Sequence, residues 1–243
     1  MEMQNLLEKN RVMHHLLQKA AGDALEFDEV ARQLKELIGA SVYMIDKHGD
    51  VLGYSDEEDM ALFSLEELSA RKIEDGEMGW LFGFTQTEVN QLKNGHIVTL
   101  VPMVNVNDRL GTVLYARRDR GFDQEDLMLL EYGAVVASIQ LMRTVNQKAE
   151  SEARKKNVVQ LALEVLSYSE LEAVKYIFGE IEGNEGFLVA SKLAEENKLT
   201  RSVIVNALRK LESAGVIDAR SLGMKGTYIK ILNDYLYEEL AQV

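Results

Sequence analysis

The 243-residue chain has no cysteine and a single proline, and aromatic residues make up only 7% of it. The absence of cysteine excludes disulfides, thiolate metal sites and cysteine nucleophiles, and is compatible with a reducing compartment. No apolar run reaches the roughly 18 uninterrupted residues that a membrane-spanning helix needs, so no membrane partner is expected. Residues Met1 to Asn10 lack the basic flank and apolar core of a secretory signal, and a cytoplasmic protein is expected. Catalytic patterns are missing too: neither Gly-x-Ser-x-Gly nor His-Glu-x-x-His occurs. His14 and His15 are neighbours on a helix and point about 100° apart, while His48 and His96 stand alone. Neither an enzyme nor a metal site is expected.

Positive charge is also scarce, with 27 basic against 40 acidic residues and a net charge of −13. That balance argues against a polyanionic partner until its distribution is considered. From Thr200 to Leu232 there are six basic residues (Arg201, Arg209, Lys210, Arg220, Lys225, Lys230) and two acidic ones (Glu212, Asp218). The segment therefore carries +4 and the remainder −17. A basic patch on an acidic chain suits a DNA-binding module tethered to something else.

What is present reads as two domains. Apolar residues recur at helical spacing over residues 4–21 and again from Phe27 to Ile38. Ser41 to Asp46 and Val51 to Tyr54 are β-rich runs about a Gly-containing turn and predict a hairpin. Residues 55–95 read as a long irregular stretch. His96 to Val104 and Leu110 to Arg117 predict a second strand pair, with Pro102 placed at an edge or a bulge. From Asp123 to Leu166 the pattern is helical, polar all round at its middle, as in a helix bridging two domains. The expected division is a sensor over residues 1–145, a linker helix over 146–166 and a DNA-binding domain over 167–243. The expected fold class is α+β, an antiparallel sheet flanked by helices followed by a winged helix-turn-helix.

The C-terminal module is predicted in more detail. Ser169 is expected to cap a helix running to Ile181, with Glu172 completing a capping box. Phe187 to Asn197 is expected to be a short helix, followed by a turn at Lys198 and Leu199. Thr200 caps the next helix, Arg201 to Ser213, closed by Gly215. Val216 to Arg220 and Thr227 to Leu232 alternate as strands of a wing. Val203, Ala207, Leu208 and Leu211 are assigned to the inner face of the third helix. Thr200, Arg201, Ser202, Val205, Asn206, Arg209 and Lys210 are the candidate DNA-binding residues there, joined by Lys192 before it and Ser221, Lys225 and Thr227 in the wing. Arg and Asn are the types that read guanine and adenine edges, and hydroxyls and backbone amides contact phosphates.

These segments carry a resemblance. Leu166 to Ala173, Gly183-Asn-Glu-Gly186, Leu188 to Ala194, Thr200 to Ile217 and Arg220 to Lys230 resemble the DNA-binding domain of the CodY family of transcription regulators. Leu52-Gly-Tyr54, Arg109-Leu-Gly-Thr112 and Glu131-Tyr-Gly133 are similar to its sensor half. The resemblance implies a GAF-type sensor, a homodimer on double-stranded DNA, and repression of nutrient-responsive genes under control of a small-molecule effector. The implied effectors are the branched-chain amino acids isoleucine, leucine and valine, with GTP a second effector in many members.

The effector region departs from the family. Where the family has an Arg followed by Met, this chain reads Ser55 to Met60 without any Arg. Arg71 is the expected replacement for the carboxylate clamp, with Met60, Phe63, Leu65, Trp80, Phe82, Phe84, Pro102 and Met103 lining a cavity. A pocket and a plain apolar cover for the sheet fit these residues equally well. No phosphate loop occurs, and the turn Asp46 to Asp50 is mixed in charge, which argues against GTP. Two other readings stay open: a regulator that has lost small-molecule sensing, and a sensor domain that docks another protein by its acidic face.

Overall fold

The computed structural model describes residues 2–22, 25–57, 60, 62–106, 108–181, 183–223 and 226–243. Contacts divide the chain into two compact units, Met1–Asn146 and Gln147–Val243. No described helix is long and apolar enough to cross a membrane.

The first unit is built on alternation. Helices α1 (Glu2–Gly22) and α2 (Phe27–Ile38) lead into strands β1 (Ser41–Asp46) and β2 (Val51–Ser55). Then come α3 (Leu65–Ala70), α4 (Asp75–Phe82), β3 (Glu88–Lys93), β4 (His96–Val104), β5 (Arg109–Arg117) and α5 (Gln124–Glu164), which continues into the second unit. The five strands form one antiparallel sheet in the order β2-β1-β5-β4-β3. Successive strand residues face opposite sides. Val42, Met44, Val101, Met103, Val113 and Tyr115 therefore enter a core with α1, α2 and the start of α5. Tyr43, Ile45, Val98, Leu100, Leu114 and Ala116 enter a second layer under α3 and α4.

Glycine lets two elements touch. A Cβ at Gly53 would lie 2.4 Å from the carbonyl carbon of Phe27, so β2 accepts the start of α2 only because that position has no side chain. At Gly133, inside α5, a Cβ would lie 2.5 Å from the Tyr115 hydroxyl, which donates to the Leu130 carbonyl at 3.0 Å.

Several expectations needed correction. Residues 55–95 are not irregular: α3, α4 and β3 occupy much of the stretch. Ser64 and Glu67 form a full capping box at α3, a local signal that the sequence did contain. Pro102 lies in β4, which is an inner strand, but β3 pairs β4 only as far as Leu100. That side of β4 is open at Pro102, and the ladder with β5 shifts register just beyond, between Met103 and Val104. The missing amide thus costs no strand pairing.

The second unit packs the end of α5 with α6 (Tyr168–Glu180), α7 (Ala190–Glu196) and α8 (Arg201–Ser213), and adds a sheet of β6 (Glu185–Leu188), β8 (Thr227–Ile231) and β7 (Ile217–Ser221). A short α9 (Leu236–Leu240), which no pattern had suggested, closes the chain. The capping box of α6 uses Ser167 and Glu170, two residues before the expected Ser169 and Glu172. Both pairs fit the motif, but the earlier start places Glu170 where Lys210 can pair with it at 2.7 Å. Phe187 and Leu188 belong to β6 and pair with Tyr228 and Thr227, so the wing has three strands and the short helix begins at Ala190.

Candidate nucleic-acid interface and sensor layer

Helices α7 and α8 meet at a tight turn in which Lys198 adopts φ +54° and the Leu199 amide donates to the Ala194 carbonyl at 2.9 Å. Thr200 then caps α8, its hydroxyl accepting from the Val203 amide at 3.4 Å and lying 3.0 Å from Ser202 Oγ. Ile204, Ala207, Leu208 and Leu211 fall on one side of α8 and are buried with Leu193 and Ala194 of α7. Val203, assigned to that face, is half-buried and packs against the same core, and Ile204 joins it there. With the inner stripe fixed, geometry puts Ser202, Asn206 and Arg209 on the opposite side, and they are exposed. Arg201 is exposed at the helix start and Val205 is half-buried at the flank.

The wing folds back onto the start of α8. Ser221 pairs with Thr227 across β7 and β8, and both line a cleft of about 300 Å³ together with Gly223, Gly226, Arg201 and Ser191. Arg201, Ser221 and Thr227 are thus brought together although 20 or more residues separate Arg201 from the other two. Ser191, a small hydroxyl residue at the start of α7, escaped the sequence reading because nothing local distinguishes it. Lys192 is exposed on α7 and lies 3.7 Å from Glu196. Lys225 lies outside the described residues.

Lys210 requires correction. Its ammonium donates to Glu170 at 2.7 Å and to the Val165 carbonyl at 3.1 Å, which turns it toward α6 and away from the exposed face of α8. The same ion pair, with the capping bonds from Ser167, holds the Glu170 carboxyl below its usual range.

In the sensor, Met60 and Phe63 are buried in the layer under α3 and α4, with Trp80, Phe82 and Phe84 at its margin. Alternation turns half-buried Pro102 toward the same side of the sheet. The structure does not bring the other three expected residues there. Leu65 is 84% exposed at the start of α3, where the Ser64 cap turns it outward. Met103 is fully buried, but one residue on from Pro102 it faces the opposite core. Arg71, at φ +53° in the cap of α3, pairs with Asp28 at 2.5 Å, donates to the Leu52 carbonyl at 3.2 Å and lies over the Tyr54 ring. Its hydrogen bond to Asp28 outweighs burial and keeps that carboxyl below its usual value. Lys72 pairs with Asp50 at 2.7 Å and Lys93 with Glu77 at 2.5 Å. Arg109 donates to the Leu81, Phe84 and Gly111 carbonyls and to Thr112, with its guanidinium 4.2 Å from the Phe84 ring centre.

An amphipathic helix with a polar, partly basic outer face, set behind a tight turn and beside a sheet wing, defines a class: a winged helix-turn-helix transcription regulator, here joined to a GAF-like sensor. The model of the CodY GAF-like domain matches residues 5–165 and that of the CodY helix-turn-helix domain residues 184–243. The chain is 45% identical to the global transcriptional regulator CodY of Geobacillus kaustophilus, over 98% of each chain. It is 46% identical to that of Thermoanaerobacter sp. (strain X514), over 99% of each. The cofactor-binding GAF domain of the nutrient sensor CodY from Clostridium difficile aligns at 25% identity and a TM-score of 0.43, over 56% of this chain and 96% of that one; the fit is too loose to add to the family match. The chain belongs to the CodY family.

Proposed function

We propose that the chain is a cytoplasmic, non-enzymatic regulator of nutrient-responsive genes that binds double-stranded DNA as a homodimer through α8 and the wing. The observation that carries this reading is the pairing of a buried apolar stripe on α8 with an exposed Ser202-Asn206-Arg209 face, next to a polar cleft where Arg201, Ser221 and Thr227 converge. Ser202, Asn206 and Arg209 enter the major groove; Thr200, Ser221 and Thr227 contact phosphates, and Lys192 adds charge at the margin. The rest of the chain is acidic, so steering toward DNA depends on this one patch.

The sensor layer holds the effector, and the family points to a branched-chain amino acid, isoleucine, leucine or valine. GTP is not part of this reading, because the sequence has no phosphate-loop motif and its first hairpin turn, Asp46 to Asp50, is mixed in charge. The test is fluorescence anisotropy on a duplex selected by this protein from a random library. Arg201→Ala and Arg209→Ala are expected to weaken binding while the fold stays intact; wild-type affinity in both would remove α8 as the recognition helix. Sedimentation of the full chain checks the dimer, and a monomer bound to a single half-site would remove it.

A further inference from the structure

The second unit holds a trough that DNA binding does not use. Val158, Leu161, Ala162 and Val165 of α5 form one side and the last turn of α8, with Arg209 and Ser213, the other, around a cavity of about 540 Å³. The four α5 residues recur at intervals of one to four and share one face of that helix over about 10 Å of its axis. Ala162 is buried and Val158 half-buried, so they make the floor. Leu161 and Val165 are more than half exposed and leave apolar surface along the rim. The volume lies within the range of about 300–1,000 Å³ of small-molecule sites, which are likewise mostly apolar with a few placed polar groups. A stable protein partner covers roughly 20–30 residues a side, far more than this trough offers.

Charge decides what kind of molecule fits. Lys210 also lines the trough, but Glu170 and the Val165 carbonyl hold its ammonium. Arg209 is exposed and, among the described residues, has no acidic partner. No carboxylate lines the trough, so an ammonium group would find no counter-charge and a free amino acid is the wrong ligand. Ser213 can add a hydroxyl donor beside the guanidinium. We propose that the trough binds an aliphatic carboxylate without an amine, its body along Leu161 and Val165 and its anionic head on Arg209, and that this ligand competes with DNA for Arg209. A guanidinium takes a carboxylate through two charge-assisted bonds. The competition rests on α8 being the recognition helix, whereas the ligand site does not. Coupling is reciprocal, so DNA weakens the ligand by the factor by which the ligand weakens DNA.

The full-length protein is titrated calorimetrically with hexanoate, with 1-hexanol, which lacks the anion, and with acetate, which lacks the apolar body. Hexanoate is expected to bind saturably, hexanol at least about tenfold more weakly, and acetate not at all. Arg209→Ala should weaken hexanoate at least about tenfold, and Leu161→Asp, which sets a carboxylate on the rim, should abolish its binding. Both residues are exposed, so each variant is expected to keep the wild-type melting temperature. No heat from hexanoate, equal binding of hexanol, or hexanoate binding unchanged in both variants overturns the site. The second measurement is DNA anisotropy with and without saturating hexanoate. Duplex affinity is expected to fall at least about tenfold for the wild type and to stay constant for Leu161→Asp. Hexanoate binding that depends on Arg209 but leaves DNA affinity untouched upholds the site and overturns the competition, and with it Arg209 as a DNA contact.

Discussion

The outer face of α8 and the margin of the sensor layer both display cations, but they use them differently. Among the described residues no acidic group pairs with Arg201 or Arg209, whereas Arg71, Lys72 and Lys93 each hold a carboxylate. A cation already paired has little left to offer a ligand; an exposed unpaired one retains its full field. The DNA-binding unit therefore presents charge outward, and the sensor uses charge to fasten loops over an apolar layer. The contrast sets Arg71, already held by Asp28, apart from the arginines on the outer face of α8.

The buried pair between Arg117 and Asp126 should be the costliest place to break the sensor side of this comparison. Arg117 is 2% exposed, sits 3.9 Å from the centre of the Phe122 ring and also donates to the Arg120 and Gly121 carbonyls. Asp126→Asn is expected to destabilise the first unit by about 3–5 kcal/mol, measured by urea unfolding, because it strands a buried guanidinium. Burial raises the Asp126 carboxyl, but Arg117 and its neighbours prevail and hold it below the usual value. A depressed carboxyl stabilises the fold above its unfolded pKa, and that contribution disappears as pH falls through the lower folded value. Acid unfolding of the wild type below about pH 4 should show this loss, and Asp126→Asn should flatten it.

Next in size is Gly133→Ala, whose methyl would meet the Tyr115 hydroxyl and both δ carbons of Leu34. A loss of about 1–3 kcal/mol is expected from overpacking, against the gain that alanine normally gives a helix. A stabilised variant would show that α5 can shift away from the sheet.

On the DNA side, Arg201→Ala and Arg209→Ala should each cost about 1–3 kcal/mol of binding and leave the thermal midpoint nearly unchanged. A large drop in melting temperature would mean that these side chains support the fold. The smallest effect is expected at Arg71→Ala: about 0–1 kcal/mol of stability from an exposed ion pair, and no change in effector affinity by calorimetry. A lost effector would restore Arg71 as the clamp and erase the contrast.

Much of the second unit was legible because its signals are local. The Thr200 cap, the apolar stripe of α8 and Gly215 behind it lie within one short stretch, and each acts over a few residues. The sensor yielded less. The capping box of Ser64 and Glu67 was available but sat among scattered apolar residues, and β3 shows no clear alternation because it lies at the sheet edge. Leu65 and Met103 are apolar like the residues packed in the layer under α3 and α4; only the phase of the cap and of the strand separates them.

By itself the sequence determined the order of the main helices and strands, the presence of a basic segment from Thr200 to Leu232 on an acidic chain, and the residue types on α8, because periodicity and capping are short-range and leave a trace in spacing. Tertiary structure alone decided that Arg71 meets Asp28, that Lys210 turns back to Glu170, that β6 widens the wing, and that the Asp56 carboxylate lies beside the buried Tyr43 hydroxyl. Each of these joins residues well apart along the chain. Which cation meets which carboxylate follows from how the layers close, and no local spacing records it.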